Sequence, residues 1–343
     1  MPYNRGTFVQ PTRQDVPGFV EFLVAIFVFI FGLVFGSFLN VCIYRLPRGL
    51  SVVKPRSACP HCNHPISGFD NIPVASWLIL GGKCRNCKTP ITPRYMIVEL
   101  ICGFLFLGCF LVYGPKLAGE VLLNNTAAHA LILPGLRFLK YAVLCFLLLG
   151  LIFTDAETQL LPDLMTLPGL LIGLVFSLFV PMHDLMATLL FEFGVVRFPG
   201  PNHLLWESLF SSALGAFVGG GFIWSVGFLW KLVRGYEGMG FGDVKLMAMV
   251  GAFLGGATTL FVIFAASLLG SVLGLSTVAV VYQKRRGRYI KAQGSESGAR
   301  RARRAAFIAY RYLPMPFGVS LGTMALVSVF AGGLFYRWLL RIP

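Results

Sequence analysis

The chain has 343 residues, of which 56% are hydrophobic and only 13% charged, with a mean hydropathy of +0.75. A soluble globular domain carries about 25% charged residues, so an ordinary water-soluble enzyme is excluded and a membrane protein is indicated. The net charge of +15 would suggest nucleic acid in a soluble chain; here it poses a question of topology, because basic residues collect on the cytoplasmic side of membrane proteins.

Residues 1–17 are polar and carry no small-residue cleavage site, so the apolar run after them reads as an uncleaved first span. A membrane-crossing helix needs about 20 mostly apolar residues. Eight such segments are expected, at roughly 18–41, 95–113, 138–153, 164–181, 207–230, 244–257, 258–282 and 314–336. The sixth and seventh share one apolar stretch, with the turn between them placed near Gly255-Gly256. Close packing on glycine accommodates the short sixth span. The fold class is therefore an all-α polytopic membrane protein of about eight transmembrane helices, with a small module between the first and second.

Eight crossings put both termini on one side. The loops on the other side, with their flanking helix ends, hold 21 of the 29 basic residues. By the positive-inside rule these loops are cytoplasmic and both termini face outward. The expected organisation is an outward segment at 1–17, a first transmembrane helix at 18–41, a cytoplasmic module at 42–94 and a transmembrane domain at 95–343. The last of these includes a basic cytoplasmic loop at 283–313, with Arg300, Arg301, Arg303 and Arg304 after a Gly/Ser-rich stretch. Such a run fixes topology and touches anionic lipid. It has little interleaved aromatic character, so membrane lipids rather than nucleic acid are its expected partners.

The module contains Cys59-Pro60-His61-Cys62 and, 21 residues later, Cys84-Arg85-Asn86-Cys87. Two CxxC turns at this separation match a four-thiolate zinc site, closed and hence structural rather than catalytic. A reducing cytoplasm keeps the thiols available for metal. A reducible dithiol pair or an iron–sulfur centre is the competing use of the same cysteines. His61 and His64 read as bystanders, because four cysteines already satisfy the ion. Cys42, Cys102, Cys109 and Cys145 lie in or beside apolar runs and read as small hydrophobes.

Two acidic motifs carry the chemistry. The first runs from Thr154 through Asp155, Ala156 and Glu157 to Leu161-Pro162-Asp163, between the third and fourth spans. The second is Gly238-Met239-Gly240-Phe241-Gly242-Asp243, at the entrance to the sixth. Taken singly, each has a plain explanation as a polar turn or an N-capping aspartate. Two spans separate them, and an even number of crossings returns Asp243 to the side of Asp155. Irregular backbone at membrane depth is tolerated where it is buried in protein or lines a wet cavity. Gly240 and Gly242 leave room for a peptide to approach Asp243. Two carboxylates held close cannot both ionise readily. One then acts as general base towards water while the other, protonated, polarises a carbonyl. No Ser-His or Cys-His constellation competes: His129, His183 and His203 fall on the outer side. The rival readings are a transporter with an acidic ion relay and a zinc-module membrane scaffold.

These motifs, in this order, resemble the bacterial type IV prepilin peptidases, the bifunctional leader peptidase/N-methyltransferases of pilus and type II secretion systems. The likeness runs through Gly36-Ser37-Phe38-Leu39-Asn40-Val41, Tyr44-Arg45-Leu46-Pro47, the paired CxxC turns, Arg94-Tyr95 with Val98-Glu99, Asp155 with Leu161-Pro162-Asp163, the segment from Gly235 to Asp243 with Lys245-Leu246, and Pro316-Phe317-Gly318. It implies that Asp155 and Asp243 are the catalytic aspartates, the latter in a GxGD motif. It implies cleavage of prepilins and pseudopilins at the cytoplasmic face of the bacterial inner membrane, after a Gly that ends a short basic leader. It also implies methylation of the new N-terminus with S-adenosylmethionine. No Rossmann-type glycine fingerprint locates the methyl donor, and Glu99, an acid at the start of a span, is the candidate residue for that activity. Asp163 is expected to be a neighbour of the pair and not a third catalyst. The loops 182–206 and 283–313 are longer than the family pattern and interrupt no motif.

Overall fold

The computed structural model describes residues 18–115, 127–182, 184–198, 203–236, 239–293 and 317–340. The N-terminal segment 1–17, His183, Glu237, Gly238, Pro316 and the part of the basic loop after residue 293 lie outside the described residues. The helices are α1 (Phe19–Arg45), α2 (Ala75–Ile79), α3 (Arg94–Tyr113), α4 (Ala127–Thr158), α5 (Asp163–Phe179), α6 (Leu185–Glu192), α7 (His203–Arg234), α8 (Phe241–Leu254), α9 (Gly256–Gln293) and α10 (Phe317–Leu340). The described residues contain no strand, only two isolated bridges inside the cysteine module.

Long apolar segments become helices because in lipid every backbone N–H and C=O must be satisfied within the chain. Their outer faces stay apolar: Phe27, Phe31, Leu171, Phe217 and Leu275 are all exposed, as lipid-facing side chains should be. Each of the eight expected spans coincides with a helix. Five of them are long and apolar enough to cross a membrane: Phe19–Arg48, Arg94–Tyr113, Leu131–Thr158, His203–Arg234 and Gly256–Lys284. Asp163–Phe179 and Phe317–Gly332 are shorter apolar helices.

Two features differ from expectation. α4 starts at Ala127 rather than near 138 and carries Pro134 within it. The expected span begins just after Arg137 and already contains Lys140, which is 1% exposed, with its Nζ 3.7 Å from Met182 Sδ and 5.6 Å from the centre of the Tyr141 ring. The segment expected as a loop at 182–206 also holds the short helix α6, which was not anticipated. Asp184 caps it, accepting the Ala187 N–H at 3.4 Å, and also takes the Ala257 N–H of α9 at 3.0 Å.

α4 lies at the centre, packed against α1, α3, α5 and α10, while α8 is enclosed by α5, α7, α9 and α10. The α7–α8 pair is antiparallel and very close: a Cβ on Gly215 or Gly251 would overlap the other's backbone, and one on Gly219 would overlap the Met247 carbonyl. That small-residue contact is what draws helices together in lipid, where no hydrophobic force does so. The chain turns from α8 into α9 at Gly255, whose φ of 86° is left-handed and suits glycine. The turn expected near Gly255-Gly256 is there.

Candidate active site

α4 ends in a controlled way. Thr154 and Thr158 return their hydroxyls to the carbonyls of Gly150 and Thr154 at 2.7 and 2.9 Å. Gln159 then leaves the helix at φ 54°, its N–H donating to the Asp155 carbonyl at 2.9 Å. A left-handed residue after the last turn is a common helix stop. Asp155 thus sits in the last turn, 5% exposed. Its Oδ2 accepts the Val319 N–H at 2.9 Å. Val319 belongs to the first turn of α10, where free N–H groups and the helix dipole favour an acid. The approach needs the preceding glycine, because a Cβ on Gly318 would stand 2.7 Å from Asp155 Oδ2.

Asp243 lies in the first turn of α8, with Gly240 as the N-cap residue and no side-chain cap. Asp155, in the last turn of α4, and Asp243, in the first turn of α8, come to the same end of the bundle, where Leu161 packs on Gly242. Asp243 does not cap its own helix, whereas Asp155 takes a backbone N–H at the start of a different helix, α10. The two approach-loop glycines divide. Gly242 packs on Leu161, whose Cβ would lie 3.0 Å from an added Cβ. A Cβ on Gly240 would meet nothing among the described residues beyond its chain neighbours nearer than Gly242 N at 4.0 Å, so Gly240 is the less enclosed of the two.

Asp163 does not cap its helix either. Pro162 is the N-cap residue, without a side-chain cap, and Asp163 pairs with Lys245 at 2.6 Å. That pair, with the Leu161–Gly242 contact, ties the start of α5 to the start of α8. Glu157 was read as part of a polar turn, but its Oε1 lies 2.5 Å from Arg94 Nη1 at the start of α3. Neither this pair nor the Gly318 contact follows from motif spacing; the only sequence signal was that Arg94 and Pro316-Phe317-Gly318 belong to the resemblance.

The cysteine module is built from two matching turns. In the first, Cys59 N–H donates to the His64 carbonyl at 3.0 Å and Asn63 N–H to the Cys59 carbonyl at 2.9 Å. In the second, Cys84 N–H donates to Thr89 at 2.9 Å and Lys88 N–H to Cys84 at 3.0 Å. Asn63 and Lys88 take the same left-handed conformation, at φ 52° and 58°. The two turns bring the Sγ atoms of Cys59, Cys62, Cys84 and Cys87 within 4.8 Å of one another, and Cys59 and Cys87 are 3.7 Å apart. Zn–S bonds of about 2.3 Å in a tetrahedron set sulfurs about 3.8 Å apart, so the donor set fits zinc. The Thr89 hydroxyl, 3.3 Å from Cys87 Sγ, and the Thr89 backbone pull that thiol down to about 6, towards the thiolate a metal takes up. His61 and His64 are exposed and outside the ligand cluster. Cys42, Cys102, Cys109 and Cys145 are buried in the apolar core.

Arg85, inside the second turn, forks onto Asp70, with Nη2 2.6 Å from Oδ1 and Nε 2.8 Å from Oδ2. The Arg85 hydrogen bond holds the Asp70 carboxyl below its ordinary range. Glu99 accepts the Val74 N–H at 2.8 Å and is hydrogen-bonded to Ser37. The carboxylate offered for methyl transfer therefore fastens the module to α3 and α1.

The fold and site define a class: a polytopic helical membrane protein with two acids at one end of its bundle and a four-cysteine module beside them. Residues 30–113 match the bacterial peptidase A24 N-terminal domain and residues 142–275 the type IV leader peptidase family. The chain is 35% identical over 275 residues to a prepilin leader peptidase/N-methyltransferase of Aeromonas hydrophila, covering 73% of this chain and 80% of that protein. It is 36% identical over 264 residues to one from Myxococcus xanthus, covering 77% and 66%. It is 37% identical over 243 residues to one from Klebsiella pneumoniae, covering 68% and 86%. No solved structure matches. The chain belongs to the type IV leader peptidase family, and it is a peptidase.

Proposed function

We propose that Asp155 and Asp243 are the catalytic pair of a membrane-embedded aspartyl endopeptidase. It removes the short basic leader of type IV prepilins and type II secretion pseudopilins. The observation that carries this reading is the placing of the two acids at one end of the bundle by separate helices, Asp155 in the last turn of α4 and held by the Val319 N–H, Asp243 in the first turn of α8. One carboxylate takes a proton from the attacking water and the other gives a proton to the carbonyl oxygen of the scissile bond. The Val319 amide fixes the position of Asp155. The less enclosed Gly240 is the approach for an extended peptide, and Gly242 holds the loop on Leu161.

The site faces the cytoplasm in a bacterial inner membrane, with both termini outward, a reading that the distribution of basic residues supports. The module at 42–94 precedes a transmembrane peptidase domain at 95–343, whose basic loop at 283–313 rests on anionic lipid. Cys59, Cys62, Cys84 and Cys87 hold a structural zinc. The new N-terminus is then methylated from S-adenosylmethionine; this step rests on the likeness to the bifunctional relatives.

Asp155→Asn and Asp243→Asn, each expressed in membranes with a prepilin, test the reading. General acid–base groups contribute about 10²–10⁴-fold, and each variant should lose at least that range. Full cleavage by either variant would refute the assignment.

A further inference from the structure

We propose that Arg94 is a positioning residue for leader cleavage: through Glu157 it holds the last turn of α4, and with it Asp155. The proposal rests on the catalytic reading of Asp155.

Glu157 lies two residues beyond Asp155 in the same turn, and its Oε1 is 2.5 Å from Arg94 Nη1. The final turn of a helix is where intrahelical hydrogen bonds run out. Two acids placed there also oppose the helix dipole, and a cation beside them offsets that. Arg94 supplies the cation from a firm base. It is the first residue of α3, directly after the second cysteine turn, whose Ile91 N–H donates to Gly82 at 2.7 Å. Its neighbour Tyr95 is tied to α1, the Tyr95 carbonyl accepting Asn40 Nδ2 at 3.0 Å.

The remaining donors of Arg94 sharpen the argument. Nε and Nη2 are buried with no hydrogen-bond partner. A guanidinium has five N–H donors, and leaving buried donors unmet is unfavourable. Glu157, reached through Nη1, is the one ion-pair partner of Arg94 among the described residues. The hydrogen bonds that Asp155 itself receives come from the backbone of Val319 and Gly318, so Arg94 acts through Glu157 and not on the reacting acid. Val319 holds the carboxylate of Asp155; Arg94 holds the turn that carries it.

The test measures prepilin cleavage by full-length Arg94→Gln, Glu157→Gln, the double variant, Arg94→Lys and the exchanged pair Arg94→Glu with Glu157→Arg. Membrane abundance and zinc per chain serve as controls. A misplacement of about 1 Å at a catalytic group costs up to about 10²-fold, so each Gln variant should lose roughly ten- to a hundredfold in kcat, with KM within about threefold. The double variant should be no worse than the weaker single one, because both remove one interaction. Arg94→Lys and the exchanged pair should recover part of the rate. If Arg94→Gln fails to accumulate, Glu157→Gln carries the same test, since it leaves α3 unaltered. Multiplying effects in the double variant would overturn the proposal. So would a rise in KM at unchanged kcat, which would put Arg94 on the substrate. Normal cleavage by Asp155→Asn would remove the catalytic reading beneath it. Normal cleavage by the Arg94 and Glu157 variants alone would remove only the positioning role.

Discussion

The cysteine module and the acidic end of the bundle solve the same problem in opposite ways. In the module, the four sulfurs come from two short turns that repeat one backbone conformation, with Asn63 and Lys88 in matching left-handed positions. Each pair of ligands is set by the residues between them. At the acidic end nothing local fixes the pair. Asp155 takes its place from the first turn of α10 and Asp243 from a helix wedged among α5, α7, α9 and α10. A local site should survive distant changes and fail abruptly when a ligand is lost. A site assembled by the fold should be sensitive to any contact that sets helix positions.

That contrast can be broken in three places. The largest effect is expected at Gly318. A Cβ there would press on Asp155 Oδ2, and Gly318→Val should lower cleavage by roughly 10²-fold, the scale of a small misplacement, with zinc content unchanged. A parallel loss of metal would show that the two regions are not independent. Next comes Cys59→Ser, which removes one of four ligands. Metal content should collapse, and protein abundance or methylation should fall more than the cleavage rate per folded molecule. Normal folding and full metal occupancy in that variant would contradict the four-cysteine assignment. The smallest effect is expected at Lys245→Met. The Asp163–Lys245 pair is partly exposed, with side-chain exposures of 59% and 23%, and such pairs contribute about 0–1 kcal/mol. Thermal stability should shift little and cleavage should stay within about threefold; a hundredfold loss would make Asp163 more than a neighbour.

Most of the architecture was legible in the sequence because membrane spans are written as apolar runs. The break at Gly255 could be placed because two glycines interrupt a run too long for one helix. The cysteine ligands were legible for the local reason given above. What escaped was set by contacts between distant segments. The burial of Lys140 against Met182 and Tyr141 depends on a loop some forty residues away. The Arg94–Glu157 pair and the contact of Gly318 with Asp155 join segments that no spacing rule connects. Asp163 had the sequence of an N-cap, but Pro162 took that position and left the carboxylate to Lys245. α6 was hidden in a loop, although Asp184 before an apolar run was a signal for it.

The antiparallel register of α7 and α8 has a consequence for water. Gly215 lies against Gly251 and Gly219 against Met247, which extrapolates to Asp243 level with Ile223. α7 continues from there to Arg234, about 16 Å further at 1.5 Å per residue, and the chain comes back beside it, with Met239 against Gly227. Asp243 therefore stands well short of the end of α7. Beyond it, Leu246, Met247, Met249, Val250, Ala252 and Phe253 are all fully buried. At the far end Asp184 closes on Gly255 and Ala257. If the two acids hydrolyse a peptide as proposed, water must reach them, but a continuous aqueous thread would short-circuit the proton gradient. Apolar packing beyond Asp243 would permit the first without the second.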